Sequence, residues 1–110
     1  MCGIAGSLRI GGEEEVQAVN AMIQALIHRG PDSGAVVRRG RAVMGHRRLA
    51  IIDTSKSANQ PMDDKASGLC IVFNGEIYNF QEIRAELEGF GDTFHTKSDT
   101  EVLLDRKSVV

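Results

Sequence analysis

The sequence predicts an α+β fold in which antiparallel sheet is covered by helices. Short apolar runs separated by glycine-containing turns predict strands that pair as hairpins. Between them, longer segments repeat their apolar residues at the spacing of an amphipathic helix. A chain of 110 residues, 42% hydrophobic and 25% charged, has the size and composition of one globular domain.

The first half of the chain predicts one helix among several strands. Residues 2–10 form a mostly apolar run that ends at two glycines. Residues 13–29 carry one apolar stripe, with glutamates at the start and basic residues before Gly30 at the end, as the helix dipole and a C-terminal cap favour. Residues 35–38 and 42–46 predict a hairpin, and 49–52 form a further short apolar run.

The middle of the chain predicts a loop followed by a buried strand. Residues 53–65 have the composition of a loop and are closed by Pro61. Residues 69–73 form a continuous apolar run, which is typical of a strand buried on both faces. This strand ends at the Asn74-Gly75 pair, a strong hairpin signal.

Two capping patterns predict helices in the remainder of the chain. Asn79 with Glu82 predicts the start of a helix that continues to about residue 88. Ser98 with Glu101 repeats the pattern and places Asp99 in the first turn of a last helix.

Composition argues against several classes of partner. A net charge of −2 does not favour a nucleic-acid or membrane surface. No apolar run approaches the roughly 20 residues that span a bilayer, and no secretory signal is evident at the N-terminus. Two cysteines are too few for a disulfide framework. We therefore expect a cytoplasmic protein whose partner is neither nucleic acid nor membrane.

Cys2 is a candidate nucleophile because it directly follows Met1. Removal of Met1 would leave a thiol and a free α-amino group on one residue. The amine, with a reference pKa of about 7.7–8.0, is a better base at neutral pH than lysine at about 10.4. One residue then supplies both nucleophile and base. The alternative is that Cys2 is a small hydrophobic residue at the start of a buried strand.

Other residues have the chemistry to hold an amino acid and a developing oxyanion. Asn74 and Gly75 offer an amide side chain and a backbone N–H to an oxyanion, although they also suit a simple turn. Arg48 suits an α-carboxylate, and Glu76 and Asp99 suit an α-ammonium group. Asp99 also suits a purely structural role at a helix start.

The neighbours of these candidates receive structural interpretations. If the segment is extended, Arg47 and Arg48 point to opposite faces, so only one of them faces a pocket. Cys70, inside an apolar run, is predicted to be an inert core residue. We assign no catalytic role to the three histidines: His28 is expected to fix a loop, and the other two, at surface or strand positions, are His46 and His95.

Six segments, in order from Met1 to about Leu104, resemble the class II glutamine amidotransferase domain, most closely that of glutamine-hydrolysing asparagine synthetases. They are MCGIAG from residue 1, HRGPD at 28–32, GHRRLAIID at 45–53, QPM at 60–62, FNGEIYN at 73–79 and SDTEVLL at 98–104.

The resemblance implies a role for each candidate. The implied catalytic residues are Cys2, Asn74 and Gly75, and the implied substrate-binding residues are Arg48, Leu49, Ile51, Glu76 and Asp99. Cys2 would attack the side-chain amide of glutamine and form a glutamyl thioester, with its own α-amino group as proton shuttle. The Asn-Gly pair would hold the oxyanion. Ammonia would leave first, and water would then release glutamate.

The resemblance also implies a larger context. The expected fold is an N-terminal-nucleophile hydrolase type αββα sandwich of antiparallel sheets, of which residues 1–104 would be the N-terminal half. The glutaminase half would need no cofactor or metal. A C-terminal synthetase domain, absent here, would use ATP and Mg²⁺ to amidate aspartate with the ammonia, and the full-length protein would form a homodimer. The alternatives are another acceptor, such as a peptide or polysaccharide precursor, or a non-catalytic module.

The last six residues, 105–110, match nothing expected of the family. We interpret them as a non-native tail that breaks the last helix, consistent with a reading frame through a sequencing adapter. A domain truncated in this way is expected to fold poorly and to have little glutaminase activity, because sheet edges and a core face would be left uncovered.

Overall fold

The computed structural model describes residues 2–8, 13–50 and 55–106. The elements in this part of the chain are β1 (Gly3–Leu8), α1 (Glu13–Ala25), β2 (Ser33–Arg39), β3 (Ala42–Arg48), a 3₁₀ turn (Lys56–Ala58), β4 (Met62–Asp64), β5 (Leu69–Ile71), α2 (Phe80–Gly89) and α3 (Asp99–Arg106). The predicted α+β class is confirmed, with antiparallel sheets and helices. The complete αββα sandwich stays a prediction.

Strand β3 is the centre of a three-stranded antiparallel sheet with the order β1-β3-β2. The predicted hairpin between β2 and β3 is confirmed, and it turns at Gly40, whose φ of 60° suits glycine. On the other side of β3, Gly3 lies opposite Arg47 and Leu8 lies opposite Ala42. The register therefore places Cys2 beside the end of β3.

Helix α1 covers one face of this sheet. Val19 and Ile23 of the helix pack against Val43 of β3, and all three are buried. The helix lies close to β3 at Gly45, where an added Cβ would lie 2.4 Å from Cγ1 of Ile23. The absence of a side chain at Gly45 is therefore what allows the helix to sit against the strand.

Helix α1 is shorter than the predicted segment 13–29. It ends at Ala25, because the next backbone N–H groups bond three residues back instead of four: Leu26 to Ile23, and Arg29 to Leu26. Such tightened turns satisfy the last carbonyl groups of a helix. The apolar stripe thus extends beyond the regular helix that it predicts.

The opposite face of the sheet is only partly covered. Ile4 is half-exposed and Leu8 is 73% exposed on β1. At the β2 end, the exposed Arg39 guanidinium bonds both oxygens of Asp63 on β4, at 3.0 and 2.6 Å. No helix in the described part of the chain is long and apolar enough to span a membrane.

Three predictions for residues 53–77 are wrong. The predicted loop at 53–65 contains β4, which pairs with β5 in a two-stranded antiparallel ribbon. The predicted strand at 69–73 ends at Ile71. It is not buried on both faces, since Leu69 is 46% exposed, because a two-stranded ribbon leaves much of each face uncovered. Asn74-Gly75 forms no hairpin turn, since the chain runs on without a strand to α2.

The two predicted helix starts are confirmed, with different caps. Asn79 occupies the N-cap position of α2, but its side chain makes no capping hydrogen bond. At α3, Ser98 Oγ accepts the N–H of Thr100 at 3.0 Å, and the Glu101 carboxylate accepts the N–H of Thr96 at 2.7 Å. Helix α3 includes Asp105 and Arg106, so the predicted break does not occur at these two residues. The rest of the predicted tail, 107–110, lies outside the described residues.

We expect Gly45→Ala to lower the free energy of unfolding by about 1–3 kcal/mol, because the new methyl group overpacks the contact with Ile23. Gly89→Ala is the matched control: its Cβ meets nothing within 4 Å, and alanine in a helix adds roughly 0.5–1 kcal/mol. Urea unfolding of both variants measures the difference. Equal stabilities of the two variants would contradict the close approach at Gly45.

Candidate functional site

Cys2 is held against the residue that follows β3. The backbone N–H of Leu49 donates to Cys2 Sγ at 3.4 Å, and Sγ lies 3.8 Å from the carbonyl oxygen of Leu49. The Arg29 side chain donates from Nε to the carbonyl oxygen of Cys2 at 3.1 Å. Cys2 is half-buried, and these contacts fix its position at the end of β3.

Arg48 directs a buried guanidinium toward the loop after β3. Its side chain is 8% exposed, and Nη1 donates to the carbonyl oxygen of Ser55 and to Oδ1 of Asn59, both at 2.6 Å. Arg47 points to the other face and donates from Nε to the carbonyl oxygen of Gly30 at 2.8 Å. The prediction that the two arginines face opposite sides is confirmed. Both acceptors of Arg48 are neutral, so these two bonds leave its charge available for an anion.

The segment from Phe73 to Ile77 is fixed at its two ends. The N–H of Phe73 donates to Gln60 Oε1 at 2.5 Å, and its carbonyl oxygen lies 3.2 Å from His46 Nε2. The N–H of Ile77 donates to Asp99 Oδ2 at 3.1 Å. Between these ends, the backbone presents three exposed residues: Asn74, Gly75 and Glu76.

Asp99 lies in the first turn of α3, where it is buried and where the helix dipole favours a carboxylate. Its bond to the N–H of Ile77 brings Asp99 beside the residue that follows Glu76, although 23 residues separate Glu76 and Asp99 in the sequence.

The predicted site residues form two groups, and the neighbouring residues Asn59 and Gln60 connect them. One group, at the end of β3, contains Cys2, Arg48 and Leu49, and the other contains the 74–76 segment and Asp99. Asn59 contacts Arg48 in the first group, and Gln60 contacts Phe73 at the edge of the second. Met1 and Ile51 lie outside the described residues.

Sequence reasoning missed the supporting residues Asn59 and Gln60. Gln60 is 9% exposed, and Asn59 Oδ1 also accepts the hydroxyl of Ser33 at 3.1 Å. The QPM segment marks Gln60 as part of a motif but carries no spacing that predicts its contacts. A buried glutamine in a loop is itself the signal that its amide has partners.

His46 is a buried neutral histidine on β3. Its side chain is 1% exposed, which confirms the strand position. A carbonyl oxygen only accepts, so Nε2 carries the proton that bonds Phe73, and Nδ1 is buried with no hydrogen-bond partner among the described residues. Burial lowers the pKa of His46, and the nearby Arg48 charge lowers it further, against an opposing contribution from the Phe73 carbonyl.

Cys70 lies opposite Asp63 across the β4–β5 ribbon. It is half-buried, so the prediction of a core position is wrong. Burial and the hydrogen bond with Asp63 raise the pKa of Cys70 to about 11, because both disfavour the thiolate. The prediction that this cysteine is inert is consistent with that pKa.

A cavity of about 440 Å³ lies away from Cys2, between β4, the 91–96 loop and α3. Its walls include Met62, Thr96 and Leu104, and none of the predicted site residues lines it. Among the described residues, no group of three His, Cys, Asp or Glu side chains is arranged to hold a metal ion.

Comparison with known proteins confirms the resemblance. A family model described as a glutamine amidotransferase domain matches residues 1–108. Two glutamine-hydrolysing asparagine synthetases of Bacillus subtilis are 43% and 39% identical to this chain, each over 94% of it and 17% of the relative. One from Arabidopsis thaliana is 35% identical over 94% of the chain and 18% of the relative. The chain thus spans less than a fifth of the length of these relatives.

We expect the free energy of unfolding to decrease as the pH falls below about 6.5. The folded pKa of His46 lies below the reference value of 6.5, so in this range the unfolded chain binds a proton that the folded chain does not. The slope corresponds to at most one bound proton. Denaturant titrations between pH 5.5 and 7.5 measure it.

His46→Gln flattens this pH dependence, and His95→Gln, at an exposed position, leaves it in place. An unchanged slope in the His46 variant would assign the effect to another group.

Cys70 is expected to react slowly with iodoacetamide. With a pKa of about 11, roughly one molecule in 3,000 carries the thiolate at pH 7.5. In a Cys2→Ala background, which leaves Cys70 as the other cysteine of the sequence, the rate rises about tenfold per pH unit between pH 7 and 10. Asp63→Asn accelerates the reaction, because it removes a neighbouring negative charge. Fast labelling at neutral pH would contradict the raised pKa.

Proposed function

We propose that this chain hydrolyses glutamine. It belongs to the glutamine amidotransferase domain family, whose model matches residues 1–108. In this role, the chain converts the side-chain amide of glutamine to glutamate and releases ammonia. Cys2 is the nucleophile.

One observation carries the proposal: the N–H of Leu49 holds the sulfur of Cys2 at 3.4 Å, and the residue before Leu49 is Arg48, whose guanidinium is buried. The nucleophile is therefore held at the end of β3, where Arg48 offers a cation for the substrate carboxylate. A cysteine that only filled a strand would not need a polar donor on its sulfur.

Cys2 carries both the thiol and the α-amino group that the proposed reaction needs. The thiolate of Cys2 attacks the amide carbon of glutamine, and the C–S bond forms as the carbonyl electrons move to oxygen. The α-amino group, freed by removal of Met1, takes the thiol proton and passes it to the departing nitrogen. The C–N bond breaks, ammonia leaves, and a glutamyl thioester remains. Water then adds to the thioester, and the C–S bond breaks to give glutamate.

The exposed 74–76 segment supplies donors for the charge that develops on the carbonyl oxygen. We assign the oxyanion to the Asn74 side chain and the Gly75 N–H, because such donors act on the transition state more than on the bound substrate. Support comes from the fixed ends of the segment at Phe73 and Ile77.

The amino-acid end of glutamine is assigned to charged groups of opposite sign. Arg48 takes the α-carboxylate, and Glu76 and Asp99 take the α-ammonium group. Asp99 uses Oδ2 for the Ile77 N–H, so Oδ1 is the oxygen that we assign to substrate. The backbones of Leu49 and Ile51 complete the assignment.

In the complete protein, we propose that the ammonia passes to a synthetase domain that amidates aspartate with ATP and Mg²⁺. The basis is the description of the relatives as asparagine synthetases. A domain with another acceptor would leave the glutamine-hydrolysing chemistry of this chain unchanged, so the acceptor is tested separately, by ATP-dependent product formation from aspartate.

We expect intact mass spectrometry of the complete protein after treatment with 6-diazo-5-oxo-L-norleucine, an electrophilic glutamine analogue, to show loss of Met1 and one adduct on Cys2. Cys70→Ser keeps the adduct, and Cys2→Ala abolishes it together with glutamate release. L-Glutamine slows the reaction and D-glutamine does not, because the three charged groups recognise one enantiomer.

Retention of Met1 with an unmodified Cys2 would refute the proposed nucleophile. Protection by L-glutamine without any glutamate release from it would favour the non-catalytic module instead.

A further inference from the structure

We propose that Gln60 is a positioning residue for the oxyanion donors, which it acts on through the backbone of Phe73. The inference rests on the proposed glutamine hydrolysis and extends it to a residue that does not touch the substrate.

The amide of Gln60 joins two parts of the chain that lie far apart in sequence. Its Oε1 accepts the N–H of Phe73 at 2.5 Å, and its Nε2 donates to Oγ1 of Thr100 at 3.1 Å. Gln60 and Thr100 are both buried, at 9% and 2% exposure. One side chain therefore fixes the start of the oxyanion segment relative to the residue beside Asp99.

The oxyanion segment depends on its ends for its placement. Within the described residues, Asn74, Gly75 and Glu76 are exposed and form no hydrogen bond with the rest of the chain. Glycine also adds conformational freedom at the centre. The position of the donors is thus set by Phe73 on one side and Ile77 on the other.

Gln60 links both of these ends. It binds the N–H of Phe73 directly, and through Thr100 it contacts the first turn of α3, where Asp99 binds the N–H of Ile77. The remaining anchor, His46 Nε2, holds the carbonyl oxygen of Phe73 to β3. Loss of the Gln60 amide leaves the Phe73 peptide attached to the sheet but releases it from α3.

Mispositioned oxyanion donors affect the transition state more than the bound substrate. The α-carboxylate remains with Arg48, so KM is expected to change little, whereas kcat falls. Complete loss of one oxyanion donor costs about 100- to 1,000-fold in kcat, so displacement of an intact donor is expected to cost roughly 10- to 100-fold.

The experiment uses the complete protein and compares glutamate release from L-glutamine by the wild type and by Gln60→Met, a side chain of similar length without a hydrogen-bonding amide. We expect kcat to fall roughly 10- to 100-fold with KM within about threefold. Gln60→Glu restores most of kcat, because a carboxylate accepts both the Phe73 N–H and the Thr100 hydroxyl hydrogen. Arg39→Met, which breaks the exposed pair between β2 and Asp63 of β4 and contacts no described residue of the site, is the control with near-normal kcat.

Amide hydrogen exchange tests the positioning without any need for activity. In Gln60→Met, the Phe73 amide is expected to exchange at least tenfold faster, while amides of β3 keep their protection. A general loss of protection, or a parallel change in kcat and KM with a lower melting temperature, would show a merely structural role and overturn the proposal. So would a wild-type kcat in Gln60→Met.

The outcomes separate this inference from the proposed function. A complete wild-type protein, with its full-length domain, that neither forms the Cys2 adduct nor releases glutamate refutes the proposed function, and with it the catalytic consequence of Gln60. If the Phe73 amide nevertheless exchanges faster in Gln60→Met, the contact between Gln60 and Phe73 is confirmed but has no role in catalysis.

Discussion

The alternation of side chains along β3 is the constraint on which the rest of the structure depends. Val43 and Gly45 face α1 and form the apolar core, whereas His46 and Arg48 face the loop and segment that follow. Because side chains in a strand alternate strictly, a slip of one residue would turn His46 and Arg48 away from the loop and toward the α1 face. The same register brings Cys2 to the end of the strand. Core and site are therefore determined together.

Polar contacts join the sheet to the residues after 55. The buried apolar cluster lies on the α1 side, while Arg48 bonds Asn59, and Phe73 bonds both Gln60 and His46. Buried polar groups are costly unless they are paired, so each partner in this network specifies the position of the next. A site built on such contacts is sensitive to single substitutions at residues that never meet the substrate.

The elements with strong local signals were predictable, and their failures have local causes. Hydrophobic periodicity identified α1, and capping residues identified the starts of α2 and α3. The end of α1 was misplaced because a 3₁₀-like turn continues the apolar stripe beyond Ala25. The burial of β5 was overestimated because an apolar run shows only that a strand has side chains suited to burial. Whether other elements cover those side chains depends on residues far away in the sequence.

The sequence by itself determined the position of Cys2, the alternation that separates Arg47 from Arg48, and the family motifs, because these are properties of neighbouring residues. Only the tertiary structure decided which residues support the site. The contacts of Gln60 with Phe73 and Thr100 span 13 and 40 residues, and that of His46 with Phe73 spans 27. No periodicity or spacing encodes such pairs, since they form only when the loop, β3 and α3 pack together and every buried polar group must find a partner.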